Sequence, residues 1–242
     1  WSDTGARKLS AMSSEIHNDL ERGGFAATHD SPIRHEGKFN WREHTGKGEG
    51  NAAFGAGTYL STGDKAHNFY KKMMTAKAGA TSPTYHVSVN AMKAQLLNWD
   101  KPLSEQSGYV QKRLEGLKGQ MAGSIAADLD GGTYDARLAY ATEKMNGAPG
   151  NGIYGFLTAE LGSQAAASDY LQNLGILGHE YAASNGRDGK TPNYVIYDDS
   201  KISTNYVHFN QQEANNFENW KNGPQARAAQ GMATDADLKA AR

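Results

Sequence analysis

The chain has 242 residues and no cysteine. That excludes thiol nucleophiles, disulfide staples and cysteine-ligated zinc, and it lets the chain work in any redox compartment. No apolar run approaches the ~20 residues that a membrane-spanning helix requires, so no membrane insertion is expected. A charge imbalance is missing as well. Twenty-five basic residues stand against 26 acidic ones, for a net charge of −1, without the excess that marks a surface built for nucleic-acid phosphates. No HExxH occurs among the eight histidines. HEGKFNWREH carries His35 and His44 with Glu36 and Glu43 between them, but its flexible, glycine-punctuated setting offers no fixed ligand geometry, and no metal is expected. The opening WSDTGARKLS lacks the apolar core of a signal peptide. It reads as the cut edge of a larger protein, or of one delivered by other machinery.

Glycine is plentiful. Twenty-eight glycines, six prolines and a hydrophobic content of 38% predict many turns and few long regular elements. Leu9, Met12, Ile16 and Leu20 recur at helical spacing, and Gly23-Gly24 would end that helix. GFAATHDSP reads as a short strand running into a loop. Residues 34–53 read as a long loop, a kind of segment that tends to be functional. A helix is expected after FGAGTYLST, with Ala66, Phe69, Tyr70, Met73 and Met74 on its apolar face. TYHVSV alternates as a strand does, with Tyr85, Val87 and Val89 on one side. A polar helix follows over roughly Ser104–Met121, a weaker one over Tyr134–Met145, and two short ones in YGFLTAELG and SQAAASDYLQNLG. ILGHEYAAS is a strand candidate. NYVIY and ISTNYVHF read as two more strands joined at Asp198-Asp199-Ser200, with Tyr194 expected in the core and Tyr197 at an edge. A capping helix is expected over Gln211–Trp220. The reading is α+β, with an N-terminal helix in residues 1–24, one domain over 25–220 and a polar tail over 221–242.

Three segments carry the functional signal: THDSP with His29, GKGEGNAAFGAGTY with Tyr59, and NYVIYDDSKI near the end. Individually each has a bland reading. His29 is then a hydrogen-bonded strand-end histidine, Tyr59 and Tyr70 are core aromatics, and DDS is turn chemistry. Together and in this order they resemble the ADP-ribosyltransferase superfamily, in its His–Tyr branch of diphtheria-toxin-like and poly(ADP-ribose) polymerase-like proteins. The nearest likeness is to the ADP-ribosyltransferase-like domains of phage and prophage polyvalent proteins and bacterial polymorphic toxins. The likeness covers roughly Phe25–Phe209.

The resemblance implies a split β-sheet core with peripheral helices, NAD as substrate and no metal. It gives His29 the adenosine-ribose hydroxyl, with Ser31 as a second polar contact. Tyr59 and Tyr70 would sandwich the nicotinamide, and Gly55 and Gly57 would let the backbone approach it. It implies a macromolecular acceptor, protein or nucleic acid, and admits an immunity or activator protein. The expected setting is a cell cytoplasm, reached as a phage protein or secreted effector. One departure stands out. The family's last-strand glutamate aligns with Asn193, which cannot carry the negative charge that steadies an oxocarbenium-like transition state. Glu49, in the glycine-rich loop before Tyr59, is the candidate replacement. Asp198 and Asp199 are weaker ones. Mono-ADP-ribosyl transfer is the expected activity. NAD hydrolysis and a catalytically silent binding or structural module are the alternatives.

Overall fold

The computed structural model describes residues 23–44, 52–78, 82–182 and 191–208. The expected N-terminal helix, the helix over 211–220, the tail and Glu49 all lie outside these residues. The chain is an α+β protein with a seven-strand mixed sheet and six helices among the described residues. It divides into two compact units. One takes in the described residues of Trp1–Phe39, Leu60–Met92 and Ser200–Arg242, and the other those of Asn40–Tyr59 and Lys93–Asp199.

In the first unit, β1 (Phe25–Asp30), β3 (Thr84–Val89) and β7 (Ile202–His208) form an antiparallel run, with the end of β2 (Thr58–Ser61) on the other side of β1. The β1–β3 pairing is unbroken from Phe25↔Val89 to Asp30↔Thr84. Residues two apart share a face, so Phe25, Ala27, Tyr85, Val87 and Val89 form one apolar face, and all five are buried. This bears out the alternation read in TYHVSV. The opposite face is polar, with Asp30, Thr84 and Ser88 also buried. Polar links help tie down helix α2 (Asp64–Ala78). Lys71 Nζ donates to the Ser82 carbonyl and to Thr84 Oγ1 (2.9 Å), and Thr75 and Ser82 share a hydroxyl hydrogen bond of 3.0 Å. Burial lowers the Lys71 pKa, and the nearby Asp30 carboxylate opposes that shift.

The second unit holds α1 (Trp41–His44), β4 (Leu96–Asn98), α3 (Gly108–Asp128), α4 (Tyr134–Asn146), α5 (Gly150–Leu161), α6 (Gln164–Asn173), β5 (Gly178–Ala182) and β6 (Pro192–Ile196). β4 pairs in parallel with β5, and β5 pairs antiparallel with β6. A parallel neighbour requires a long crossover, which α3–α6 supply. Helix starts follow capping chemistry: Ser107 accepts from Val110 N–H, Thr133 from Ala136 N–H and Ser163 from Ala166 N–H. Gly162, left-handed at φ 79°, ends α5. Leu114, Leu117, Met121, Met145, Ile153 and Leu171 form the heart of the apolar core.

Several sequence expectations need adjusting. β4 is a strand that sequence reading did not call, because three residues cannot display alternation. α3 runs to Asp128 rather than ending near Met121: Ala122 and Ala126 stay buried and carry the seam past Gly116, Gly119 and Gly123. α5 starts at Gly150, where Gly-Asn-Gly masks a helical first turn. The long loop contains α1. Tyr197 is not at an edge: it is fully buried, and its hydroxyl hydrogen-bonds His179 Nδ1 at 2.7 Å.

Candidate functional site

Of the expected site residues, His29, Ser31 and Tyr70 lie in the first unit and Gly55, Gly57, Tyr59 and Asn193 in the second. In the first, His29 lies near the end of β1 and is half-buried within a nest of rings. Its ring centroid is 5.2 Å from Phe39, 6.1 Å from His35 and 6.2 Å from Tyr85. The nest is firmly built. His35 stacks on Tyr85 with centroids 3.9 Å apart, and the Tyr85 hydroxyl accepts from His35 N–H (2.7 Å) while donating to the His35 carbonyl (2.8 Å). Thr204 Oγ1 donates to the Gly37 carbonyl at 2.7 Å, fixing the next part of the loop to β7. Ser31 is fully buried, and its Oγ accepts from Ile33 N–H at 3.3 Å. Tyr70 is half-buried on α2, with its ring edge-on to Phe69 at 5.5 Å. Phe39 and Tyr85 carried no functional signal in the sequence. Tyr85 read as core, and Phe39 lay in a stretch read only as loop.

In the second unit, the FGAGTY segment is shaped by packing. Gly55 has φ 98°, and a Cβ there would lie 2.6 Å from the Tyr154 ring. A Cβ on Gly57 would lie 2.5 Å from Val195 Cγ1 and 2.7 Å from the Ile196 carbonyl oxygen. Real Cβ atoms do not approach so closely, so these glycines admit Tyr154 and β6. Ala56 is stitched down on both sides: its N–H donates to Tyr154 Oη (2.9 Å) and its carbonyl accepts from Ser168 Oγ (2.6 Å). Tyr59 is half-buried, and its hydroxyl donates to the Gly55 carbonyl (2.7 Å) while accepting from Phe54 N–H (3.1 Å).

Asn193 is fully buried on β6, and neither Oδ1 nor Nδ2 has a hydrogen-bond partner. Register pairs it with Tyr181 on β5. The Tyr181 ring meets Tyr59 edge-on at 6.4 Å and stacks on Phe54 at 3.9 Å. Within the second unit Tyr59 and Asn193 both adjoin Tyr181, while Gly55 faces Tyr154 and Gly57 faces β6. Next to them His179 is fully buried beneath Trp99, with rings stacked at 4.4 Å. Burial lowers its pKa to about 3, which keeps the imidazole neutral.

The DDS turn has a structural task. Asp199 Oδ2 accepts from Trp41 N–H (2.9 Å) and Oδ1 from Thr58 Oγ1 (2.5 Å), while Trp41 Nε1 donates to the Tyr197 carbonyl (2.8 Å). Burial raises the Asp199 pKa, and its hydrogen bonds from Thr58 and Trp41 and the nearby Arg42 charge offset part of that shift. Arg42 lies over the Trp41 ring at 4.3 Å and pairs with Asp169. Among the described residues no group of three or more histidine, cysteine or acidic side chains could hold a metal ion, and no helix is long and apolar enough to cross a membrane. Searched against family models, curated proteins and solved structures, the chain matches none of them.

Proposed function

We propose that the chain is an NAD-dependent mono-ADP-ribosyltransferase of phage or toxin/effector type, with an ADP-ribosyltransferase-like split sheet. One observation carries the reading. The three motif segments lie on the kinds of element that the resemblance calls for: His29 on the first strand, Tyr59 on a short strand that runs into helix α2, and Asn193 near the start of a late strand. A chance match in sequence has no reason to respect all three.

Cleavage of the nicotinamide–ribose bond generates positive charge on the ribose. The enzyme's contribution is positioning and electrostatic stabilisation. In this reading His29, oriented by its ring nest, holds a ribose hydroxyl. Tyr59 contributes the ring on which the nicotinamide stacks. Tyr70 supplies a second aromatic surface. Asn193 is uncharged, so the stabilising carboxylate falls to Glu49. The acceptor is a macromolecule, and the setting a cell cytoplasm.

A second reading, the silent module, draws on Asn193 itself. A fully buried amide is ill suited to touching substrate, and packing alone accounts for both glycines. Incubation with NAD, with and without cell lysate, separates the readings. Nicotinamide released only with lysate supports transfer. Release without lysate supports NAD hydrolysis, and no release in either condition supports the silent module.

A further inference from the structure

The polar face of the first unit carries a pair of histidines that the proposed function does not use. His86 on β3 and His208 on β7 bring Nε2 and Nδ1 to 3.2 Å, with ring centroids 5.2 Å apart. Two imidazole nitrogens bound to one tetrahedral zinc, at bonds of about 2.0–2.1 Å, lie about 3.3–3.4 Å apart. The pair therefore already spans the length of one edge of such a coordination shell.

The backbone creates this pairing. From Ile202 to Thr204, β7 pairs with β3 in register with Val89 to Val87. The register then slips, so that Tyr206 faces His86 and His208 faces Thr84. Asn205 is the extra residue, and its Nδ2 donates to Ser88 Oγ at 2.7 Å. A slip of one residue exchanges the faces of a strand. Continued without the bulge, the register would carry His208 to the opposite face from His86. Bulges of this kind re-aim side chains beside functional sites.

We propose that His86 and His208 form a binding site for a borderline divalent transition-metal cation of the zinc, nickel or copper class, which imidazole suits. No third histidine, cysteine or carboxylate joins them among the described residues. The bound ion ties β7 to β3. Hard cations such as magnesium, which favour oxygen ligands, are not taken.

The test uses the whole chain and zinc ion alone. Thermal melting and calorimetric titration are run on the wild type, His86→Gln and His208→Gln, with magnesium as a control. The expected result is a saturable zinc response in the wild type. Each variant should weaken it by at least the ~10–100-fold that losing even an outer-shell partner costs a metal site, and acidification through the imidazole range should reverse it. Zinc-induced movement of the His86 and His208 imidazole resonances in the wild type supports the site even where a variant fails to fold. Absence of a zinc response, an equal response to magnesium, undiminished binding in both variants, or unmoved resonances overturns the proposal.

Discussion

His67 Nδ1 lies 2.9 Å from Asp30 Oδ2, and Thr84 Oγ1 donates to the other oxygen of the same carboxylate at 2.6 Å. The Asp30 side chain is almost wholly buried while His67 is about a quarter exposed. One carboxylate thus joins β1, β3 and α2.

Asp30→Ala should therefore cost more than His67→Ala. Losing the carboxylate removes the acceptor of the Thr84 O–H, whose oxygen keeps only the Lys71 bond, and removes the charge facing Lys71. A buried group left without its partner costs about 1–3 kcal/mol. Urea denaturation of both variants checks the order, and equal losses would mean that the carboxylate is not the hub.

Gly57→Ala and Gly55→Ala should destabilise the protein by roughly 1–3 kcal/mol, as overpacking does, because the added methyl meets β6 or the Tyr154 ring. Gly116→Ala is the control. Nothing lies within 4 Å of its Cβ position in α3, so this change should stabilise by about 0.4–1 kcal/mol. Melting curves of the three variants decide the matter.

Acid should weaken the second unit through His179. Its folded pKa of about 3 is below the ordinary 6.5, so between these values the unfolded chain binds more protons. Stability then falls as pH drops below about 6.5, by up to ~1.4 kcal/mol per pH unit from this group. His179→Gln should flatten that part of the stability–pH profile. An unchanged slope would show that the imidazole is not what acid attacks.

Asn193 yields opposite signs for stability and for the proposed chemistry. Replacing an unsatisfied buried amide with an apolar group of similar size should be neutral or stabilising, so Asn193→Leu should hold or raise the denaturation midpoint. If Glu49 supplies the electrostatic stabilisation, Glu49→Gln lowers single-turnover nicotinamide release by ~10²–10³, and Asn193→Leu lowers it far less. The reverse ranking would return the catalytic role to the last strand.

Much of this was legible in the chain because local chemistry dictated it. TYHVSV alternates, and YGFLTAELG and SQAAASDYLQNLG read as the two short helices that became α5 and α6. The position of His29 on β1 and of Tyr59 just ahead of α2 followed from the same signals. What was hidden depends on partners distant in sequence. Trp41 is held by Asp199, 158 residues away, and Tyr85 holds His35 from 50 residues away. No window of sequence contains either pair, so the ring nest around His29 and the structural duty of the DDS turn could not be read from it. The β7 bulge was equally invisible, since ISTNYVHF alone does not say which residue is extra.

The close fit of Gly57 against Val195 and Ile196 also bears on descent. Foldability alone would keep GAGTY intact in a lineage, whether or not its members ever meet NAD. A search on that motif would then gather working enzymes and retired ones alike. A carboxylate retained at position 49 across diverging copies would be a signature of chemistry, whereas a retained Gly57 would testify only to a fold still being made.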